Sequence, residues 1–484
     1  MLALLSPELV VLVGIILVLV LDLVWRDSGR NALPYVALAV PIVSVVPVLA
    51  LWGRQATLLS GMMVVDAFAL YFKLVAFGAT ALVILGSMRY MAVRTRRQGE
   101  YYALLLLAML AIILATAAGD LLSLYLAFEF LSLTSYVLVS YLRGSEPSSE
   151  AGVKYFLFGA VASAVMLYGM SLLYGATGTT NLEGIAEALR GPASSLRWLA
   201  IPTAVLLLAG FSFKVAIAPF HQWAPDTYEG APTPITAFLS VASKMTGFAV
   251  LMRVMVVAMG DFQPTWARIL SAFAIVSMIL GNFVALQQSN IKRLLAYSSI
   301  AHAGYIMIGF VTYVLEPRAF NGLNGVLLYA AVYLFTNIGV FLGVIAFEDA
   351  TGSTKIGDYA GLIHRSPFLA ALLAYFFFSL TGIPFTGGMF AKFFVFAPAI
   401  QAGSFGFLLA VIGIFTSVVA AFYYLNVVRF MFLMPSSEQG HLAVPRSVQV
   451  GLAISAAATL LIGIYPQPLI NLASRSVLML GMLL

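Results

Sequence analysis

The sequence predicts an all-α, polytopic membrane protein with about 14 transmembrane helices and with both termini outside. Its 484 residues are 62% hydrophobic and only 9% charged, and the mean hydropathy is +1.02. An ordinary soluble domain carries about 25% charged residues, so this chain lacks the polar side chains to cover itself in water. Long apolar runs recur along the whole sequence, and Lys and Arg concentrate in alternate loops between them.

Fourteen apolar runs are long enough to cross the roughly 30 Å hydrocarbon core of a bilayer as helices. A helix suits such a run because every backbone N–H and C=O group is then bonded within its own segment. No basic segment of the signal-peptide kind precedes the first run, which is therefore expected to be a retained helix. The runs cover about 6–24, 33–52, 64–86, 103–118, 121–142, 155–174, 199–218, 235–258, 266–286, 299–314, 325–347, 367–399, 405–433 and 448–465.

The basic residues predict the orientation. With the N-terminus outside, fourteen of the 25 Lys and Arg residues fall in inside loops or helix ends, and six fall outside. Cytoplasmic loops favour Lys and Arg, so this bias supports an even number of helices and two outside termini. The net charge is +6. Because the basic residues are spread over short loops rather than one soluble face, no nucleic-acid partner is expected.

Several classes of chemistry are excluded by what the chain lacks. It has no Cys, which removes disulfides, thiolate metal sites and iron–sulfur clusters from the chain itself. Its 4 His include no pair at helical metal-binding spacing, and neither a P-loop nor a dinucleotide-binding glycine motif is present. No polar stretch is long enough to bury a core of its own. Residues 1–484 are therefore expected to form a single membrane domain that binds no cofactor or metal.

Four ionisable residues lie in the middle of apolar runs, namely Glu129, Lys214, Lys244 and Lys392. Each charge at mid-membrane costs about 2.5–3.5 kcal/mol on insertion scales, so such residues usually serve a function. Glu129 and Lys214 are expected to pair, since a lone buried carboxylate needs a partner. The set indicates proton transfer inside the bilayer. The structural alternatives are a static ion pair for Glu129 and Lys214, and snorkelling of Lys244 and Lys392 to an interface.

Two further ionisable residues each have a functional and a structural interpretation, and two more have a structural one. His302 is either a proton relay or a hydrogen-bonded packing residue, because histidine titrates near neutral pH. Lys154, at the inner end of its helix, is either an interface anchor or a side branch of a proton path. Lys73 and Arg253 are expected to be structural.

Two segments interrupt their helices in a similar way. One is FKVAIAPFHQWAPDTYEGAPTP, residues 213–234, and the other is SLTGIPFTGGMFAKFF, residues 379–394. Proline removes a helix donor and glycine loosens the helix, so both segments predict breaks. Broken helices at corresponding positions of two halves indicate an inverted-repeat transporter, whereas the alternative is a proline kink that serves packing. His221 and Asp226, in the first segment, either guide proton uptake or cap the loop.

Longer motifs resemble a known family. These are LLSLYLAFEFLSLTSYVLVSYLR, SSEAGVKYFLFGAVASAVMLYGMSLLYGATGTTNL, GFSFKVAIAPFHQWAPDTYEGAPTPITAFLSVASKMTGFAVLMR, NFVALQQSNIKRLLAYSSIAHAGYIMIGF and SLTGIPFTGGMFAKFFVF. They resemble the antiporter-like membrane subunits of respiratory complex I, most closely the subunit N type, over most of residues 120–433. The N-terminal stretch PELVVLVGIILVLVLDL resembles the same type.

That resemblance implies 14 helices that contain two inverted five-helix repeats, each with a broken helix. The expected boundaries are an N-terminal three-helix segment (1–100), a first repeat (101–258), a second repeat (259–433) and a C-terminal helix (434–484). It also implies a glutamate–lysine pair formed by Glu129 and Lys214, a central Lys244, and Lys392 on the way to the outside. The lysine that the family carries on its sixth helix corresponds to Lys154.

The function that the resemblance implies is proton translocation in a NADH–quinone oxidoreductase of a bacterial inner membrane. The expected partners are the other membrane subunits, including paralogous antiporter-like subunits, and lipids. NADH or another electron donor, FMN, iron–sulfur clusters and quinone would be bound by other subunits. Multisubunit Na⁺/H⁺ antiporters and membrane-bound hydrogenase complexes share the same core, and they are the alternative.

Overall fold

The computed structural model describes residues 2–25, 30–191, 198–313, 321–436 and 440–481. Within these ranges the chain forms twenty α-helices and one short β-hairpin, with strands Ala56–Leu58 (β1) and Met63–Val65 (β2). The helices are α1 (Ser6–Trp25), α2 (Leu33–Ala50), α3 (Ala67–Arg94), α4 (Gln98–Thr116), α5 (Leu121–Val139), α6 (Glu146–Thr177), α7 (Leu182–Arg190), α8 (Ala200–Val215), α9 (Trp223–Gly230), α10 (Thr233–Phe238), α11 (Lys244–Arg253), α12 (Gln263–Ala285), α13 (Ile291–Val311), α14 (Gly322–Thr351), α15 (Leu362–Arg365), α16 (Pro367–Thr381), α17 (Gly387–Gln401), α18 (Ser404–Leu433), α19 (Arg446–Ile464) and α20 (Gln467–Gly481).

Twelve helical stretches in the described part of the chain are long and apolar enough to cross a membrane. Two shorter apolar helices, Ile201–Val215 and Pro367–Thr381, accompany them. Each shorter helix is followed by a break and a second helix, α9 after α8 and α17 after α16. The all-α membrane fold and both predicted breaks are therefore confirmed. The total of fourteen spans and the outside position of the termini stay predictions.

The two broken helices end in the same backbone motif. At the end of α8, the Ile217 N–H donates to the Ser212 carbonyl and the Ala216 N–H donates to the Phe213 carbonyl, each at 3.0 Å. Ile383 and Gly382 repeat this pattern at the end of α16. Ala216 and Gly382 both lie in the left-handed region, with φ of 56° and 93°. This is a Schellman cap, and a proline soon afterwards prevents the helix from resuming.

A second matched motif links the two halves of the chain. The Asp120 side chain caps α5, and Asn290 caps α13. Each cap residue forms an isolated antiparallel bridge to a loop that follows the next long helix, with Asn181 and Lys355 respectively. The Leu121 N–H donates to Thr180 and the Ile291 N–H donates to Thr354, both at 2.9 Å. These paired motifs agree with the predicted inverted repeat, whose boundaries stay a prediction.

The C-terminal region contains two helices, where a single helix was expected in 434–484. Pro466 lies two residues after the end of α19, and Pro468 lies in the first turn of α20; proline is tolerated at a helix start but cannot continue a helix because it lacks the N–H donor. The second helix, α20, packs against α3 and α14. Its Ser474 hydroxyl accepts a hydrogen bond of 3.1 Å from the Asn324 side chain. The mixed polar and apolar sequence of α20 is that of a helix lying on the protein surface rather than of a spanning helix.

The helices divide into an inner and an outer group. In the stretch Thr233–Ala258, every residue of the spanning window is buried, and α13 and α14 are almost as enclosed. By contrast, only 28% of the α1 window is buried, and large apolar side chains of α1, α6 and α18 are exposed. An exposed apolar surface of this extent faces lipid or other subunits. Lys244 and His302 therefore lie on helices that other helices surround.

Two buried ion pairs hold the inner helices to the outer ones. The Arg253 guanidinium binds the Asp66 carboxylate through two hydrogen bonds of 2.8 and 3.0 Å, and both residues are 2% exposed. The Lys73 ammonium forms a buried pair with Glu8 across α1 and α3. Both cations thus have direct carboxylate partners, which agrees with the structural roles expected for them.

Arg253→Met is expected to lower the free energy of unfolding by about 3–5 kcal/mol, because it leaves the buried Asp66 carboxylate without a cation. Arg190→Met is the matched control, since Arg190 pairs with Asp261 at an exposed site. An exposed pair is worth at most about 1 kcal/mol. Thermal unfolding of the two purified variants in detergent measures the difference. Equal melting temperatures would show that the buried pair contributes no more than the exposed one.

Candidate functional site

Glu129 and Lys214 lie near each other but do not form the predicted direct ion pair. Glu129, in the middle of α5, accepts a hydrogen bond of 2.5 Å from the Ser163 hydroxyl of α6. Lys214, in the last turn of α8, is 2% exposed and donates to the Ser132 hydroxyl at 3.1 Å. Ser132 lies three residues after Glu129 on α5, so Lys214 contacts α5 about one turn beyond the position of Glu129. The carboxylate charge still acts on Lys214 through space.

Lys244 lies at the start of α11, directly after the π-helical segment Leu239–Ser243. It is 1% exposed, and its ammonium donates to the Ser299 carbonyl at 2.7 Å and to the Ser299 hydroxyl at 2.6 Å. Ser299 belongs to α13, so Lys244 joins two of the three most enclosed helical stretches that the structure describes. Short π-helical insertions often occur at functional sites, where they re-aim a side chain. Both acceptors of Lys244 are electrically neutral.

Lys392, in α17, is placed against the second helix break. Its ammonium donates to the Thr381 carbonyl at 2.7 Å. Thr381 is the last residue of α16, where carbonyls lack an intrahelical partner and carry partial negative charge. The Lys392 ammonium also lies 5.0 Å from the Tyr305 ring centroid. The break therefore supplies Lys392 with a hydrogen-bond acceptor inside the helix bundle.

His302 lies between the positions of Lys244 and Lys392. Its Nδ1 is 2.5 Å from the Tyr329 hydroxyl, and its Nε2 is 3.3 Å from the Tyr424 hydroxyl. Ser299 lies one turn before His302 on α13. A cavity of about 10 Å³ is lined by His302, Tyr329 and Lys392, among others. A volume of that size is near the lower limit for one water molecule, which would connect the histidine to Lys392.

The functional positions of α5 and α13 follow the same register. Glu129 and Ser132 lie nine and twelve residues after the cap residue Asp120. Ser299 and His302 lie nine and twelve residues after the cap residue Asn290. Glu129 and Ser299 therefore occupy equivalent positions in the two halves, and so do Ser132, which contacts Lys214, and His302.

Four buried hydroxyl groups lie between the positions of Lys214 and Lys244 and were missed by sequence reasoning. The hydroxyls of Ser135, Tyr155, Tyr228 and Ser243 have no hydrogen-bond partner of good geometry. The Tyr155 hydroxyl lies near Ser135 and Ser243, and Tyr228 lies near Ser299. Buried hydroxyls of this kind usually bind ordered water. The only sequence signal was their polarity within apolar helices.

Two helices bring Lys214 and Lys244 to neighbouring positions. Gly247 lies three residues after Lys244 on α11, and a side chain there would meet Val215 and the Lys214 stem. The glycine thus permits close packing of α11 on α8.

Lys154 lies outside this buried set, in a charged cluster at the end of the first broken segment. Its ammonium is 2.8 Å from an Asp226 oxygen and 2.7 Å from a Glu150 oxygen. Arg293 binds the same Asp226 at 2.7 Å and Glu229 at 3.0 Å. Asp226 therefore joins α6, α9 and α13 through its two cationic partners. His221, close by, has a buried Nδ1 without a hydrogen-bond partner.

Lys292, one of the fourteen basic residues that the sequence assigns to inside loops or helix ends, is buried in the first turn of α13. It is 4% exposed and donates to the Ala231 carbonyl at 2.7 Å. Ala231 lies at the end of the first broken segment, just before α10. Among the residues that the structure describes, no group of three or more His, Asp or Glu could hold a metal ion.

Comparison with known sequences identifies the family. The family described as NADH:quinone oxidoreductase/Mrp antiporter, TM, matches residues 118–420. A NADH-quinone oxidoreductase subunit N from Moorella thermoacetica is 41% identical over 461 residues, which are 95% of this chain and 94% of that protein. The NADH-quinone oxidoreductase subunit N 2 of Rhizobium meliloti is 40% identical over 472 residues, which cover 97% and 96% of the two chains.

Solved structures agree with this assignment. A chain of respiratory complex I from Thermus thermophilus has a TM-score of 0.80 and 30% identity, and the match covers 97% of this chain and 99% of that one. A chain of the Mrp complex from Dietzia has a TM-score of 0.83 at 20% identity, covering 98% and 96%, which shows a shared fold. The chain therefore belongs to the subunit N family of NADH-quinone oxidoreductase, among the antiporter-like membrane subunits of respiratory complex I.

Proposed function

We propose that this chain translocates protons across a bacterial inner membrane as the antiporter-like subunit of a NADH–quinone oxidoreductase. The observation that supports this most directly is how the seven lysines of the chain are partnered. Lys73 and Lys154 bind carboxylates, and Lys355 is exposed. The other four are buried and donate only to neutral oxygens of serine hydroxyls or backbone carbonyls: Lys214, Lys244, Lys292 and Lys392.

The partner decides whether a buried lysine can release its proton. A carboxylate stabilises the charged ammonium and fixes it in place, as for Lys73 with Glu8. A neutral acceptor offsets only part of the free-energy cost of burying the charged ammonium. The free-energy difference between the ammonium and the neutral amine is therefore small. The four buried lysines with neutral partners are thus suited to pass protons on, whereas the paired ones are suited to hold helices together.

The proposed route begins on the arginine-rich side, which the positive-inside rule assigns to the cytoplasm. Protons arrive through the Asp226 cluster and Lys292 and reach Lys214. The buried hydroxyls of Ser135, Tyr155 and Ser243, with the water they bind, connect Lys214 to Lys244. Water bound between these hydroxyls would complete a polar link from Lys214 to Lys244 inside the helix bundle.

The second half of the route runs through the second repeat. From Lys244, Ser299 and His302 lead to Lys392, with the Tyr329 hydroxyl and the small cavity between them. Lys392 then passes the proton along the second half of its broken helix to the outside. Glu129 and Lys154 lie beside this route, and their charges act on the residues at its start.

The separated arrangement of Glu129 and Lys214 fits a switch. When the carboxylate is bound to Ser163, Lys214 depends on the neutral Ser132 hydroxyl. Movement of Glu129 toward Lys214 would stabilise the ammonium, and movement away would favour proton release. We propose that quinone reduction in other subunits drives this exchange, and that this chain binds none of the NADH, FMN, iron–sulfur clusters or quinone. The repeats 101–258 and 259–433 would then supply two coupled half-paths.

The alternative function is that of a Na⁺/H⁺ antiporter or membrane-bound hydrogenase subunit. The Mrp and membrane-bound sulfane sulfur reductase structures share the fold at 20% and 22% identity. The relatives at about 40% identity over nearly the whole chain are named as NADH-quinone oxidoreductase subunits, which favours the redox-driven function.

The two functions differ in what drives the proton. In proteoliposomes that contain the assembled complex, NADH oxidation with added quinone is expected to drive proton uptake into the vesicles. The uptake should be unchanged when Na⁺ is replaced by K⁺ on both sides, because the described residues contain no group of three or more acidic or histidine side chains that could hold a cation. Proton movement that follows an imposed Na⁺ gradient without electron transfer would contradict the proposal and support the antiporter.

A further inference from the structure

A basic pocket lies where α3, α4, α5 and α6 end on the arginine-rich side of the protein. Its volume is about 750 Å³. The loop between α3 and α4 supplies Arg96 and Arg97, and the loop between α5 and α6 supplies Arg143. Arg94 closes one side, and Glu100 is the only acidic residue in the described lining. The pocket is thus strongly positive, and its charge is not needed for the proton route.

The arginines of this pocket are not equivalent. Arg94 binds Asp349 at 2.5 Å and lies over the Tyr90 ring, so its charge is already compensated. Arg97 has Glu100 at 3.7 Å across an exposed pair. Arg96 and Arg143 are exposed, and the ion pairs among the described residues do not include them. Two guanidinium groups from separate loops are therefore available to an anion.

The walls of the pocket are apolar on the membrane side. Leu104 of α4 and Val137 of α5 line it, and Val137 is 49% exposed. Leu133 and Leu126 continue the exposed apolar surface along α5 away from the pocket. Leu133 lies four residues before Val137 and Leu126 seven residues before Leu133, so these side chains share one helix face and form a stripe, in which the half-buried Glu129 lies between Leu126 and Leu133. The site thus combines a cationic rim with a hydrocarbon surface that runs into the membrane.

We infer that this pocket binds an anionic phospholipid, with the phosphate between Arg96 and Arg143 and an acyl chain along the α5 stripe. Arginine binds phosphate oxygens through two parallel N–H bonds. Basic pockets at the cytoplasmic end of membrane helices are the usual sites for anionic headgroups. A water-soluble anion would gain nothing from Leu104 and Val137, whereas a lipid uses both parts of the site. The inference does not depend on the proton route.

The test compares two double variants of the assembled complex. The pocket variant is Arg96→Gln with Arg143→Gln, and the matched control is Arg429→Gln with Arg446→Gln, two exposed arginines of the same side outside the pocket. Each complex is stripped of lipid in detergent, placed in nanodiscs of phosphatidylglycerol or of phosphatidylcholine, and purified again. Retained phospholipid is then measured by mass spectrometry, with subunit content checked on gels.

The wild type and the control variant are expected to retain about one more phosphatidylglycerol than the pocket variant, with no difference in phosphatidylcholine. Val137→Trp, which fills the apolar wall and keeps both arginines, should lower phosphatidylglycerol retention as well. Equal retention by all variants would overturn the inference. Displacement of the lipid by inorganic phosphate alone would also overturn it. So would a pocket variant that loses a neighbouring subunit rather than lipid, because the pocket would then be a protein interface.

Discussion

Replacing Lys214 by methionine is expected to lower proton translocation by the assembled complex roughly a hundredfold, at the low end of what a positioned proton-transfer group contributes. Lys214 is buried, and its ammonium is held by the neutral Ser132 hydroxyl. Methionine keeps the length and apolar stem of the side chain but has no proton to release. Quenching of a pH-sensitive dye in proteoliposomes supplied with NADH and quinone measures the translocation.

Lys355→Met is the control for this variant, because Lys355 is exposed and lies outside the proposed route. It should translocate protons as the wild type does. Subunit content and NADH oxidation in detergent show whether the Lys214→Met complex is assembled. A fully assembled Lys214→Met complex that pumps at the wild-type rate would remove Lys214 from the route.

Replacing Lys244 is expected to have an effect of similar size, about a hundredfold, and two variants separate its roles. Lys244→Met removes both the charge and the proton, and leaves the Ser299 hydroxyl and carbonyl without their donor. Lys244→Arg keeps the charge, but a guanidinium does not release its proton in proteins. If Lys244 carries protons, both variants are expected to stop pumping. The same dye-quenching assay, with NADH oxidation as the measure of assembly, gives the result.

Pumping by Lys244→Arg at the wild-type rate would mean that Lys244 acts as a fixed charge and not as a proton carrier. Thr246→Val is the control, because Thr246 lies on the same helix and its hydroxyl donates only to the Ala242 carbonyl within the helix. That variant should leave pumping unchanged.

The buried lysines and the two breaks could be predicted from the sequence, because both are visible as local exceptions, whereas Glu129 is only half-buried. A lysine within an apolar run, such as Lys244 or Lys392, has no local explanation, and Pro219 or Pro384 must end a helix. Both signals are independent of how the helices are rotated about their axes. The breaks are confirmed, whereas the roles of the lysines stay proposals.

The prediction of a direct Glu129–Lys214 contact was wrong, because such a contact depends on how two helices are positioned along each other and on side-chain direction. A shift of about one turn along α5 replaces Glu129 by Ser132 as the neighbour of Lys214, because residues three apart lie on nearly the same helix face. The competing partner of Glu129, Ser163, lies on a different helix, and nothing in the local sequence marks it. The hydroxyls of Tyr155 and Ser243 were missed for the same reason, since each is an unremarkable helix residue until its neighbours are known.

One signal in the sequence was present but not used. The spacing from the cap residues Asp120 and Asn290 places Glu129 and Ser299 nine residues into their helices. This common spacing can be recognised only when both the cap residues and the repeat are known. The start of α13 predicted from hydropathy alone lies several residues after its cap residue, Asn290. Helix caps are set by side-chain hydrogen bonds, which hydropathy does not report.

Electron transfer in the complex is proposed to move protons along the four buried lysines that donate only to neutral oxygens, namely Lys214, Lys244, Lys292 and Lys392. The most direct measurement is the number of protons translocated per NADH oxidised, compared between the wild-type and Lys244→Met complexes in the same proteoliposomes. We expect Lys244→Met to translocate fewer protons per NADH, or none, with all subunits present. An unchanged ratio in a fully assembled Lys244→Met complex would contradict the account, because electron transfer would then move the same protons without this lysine.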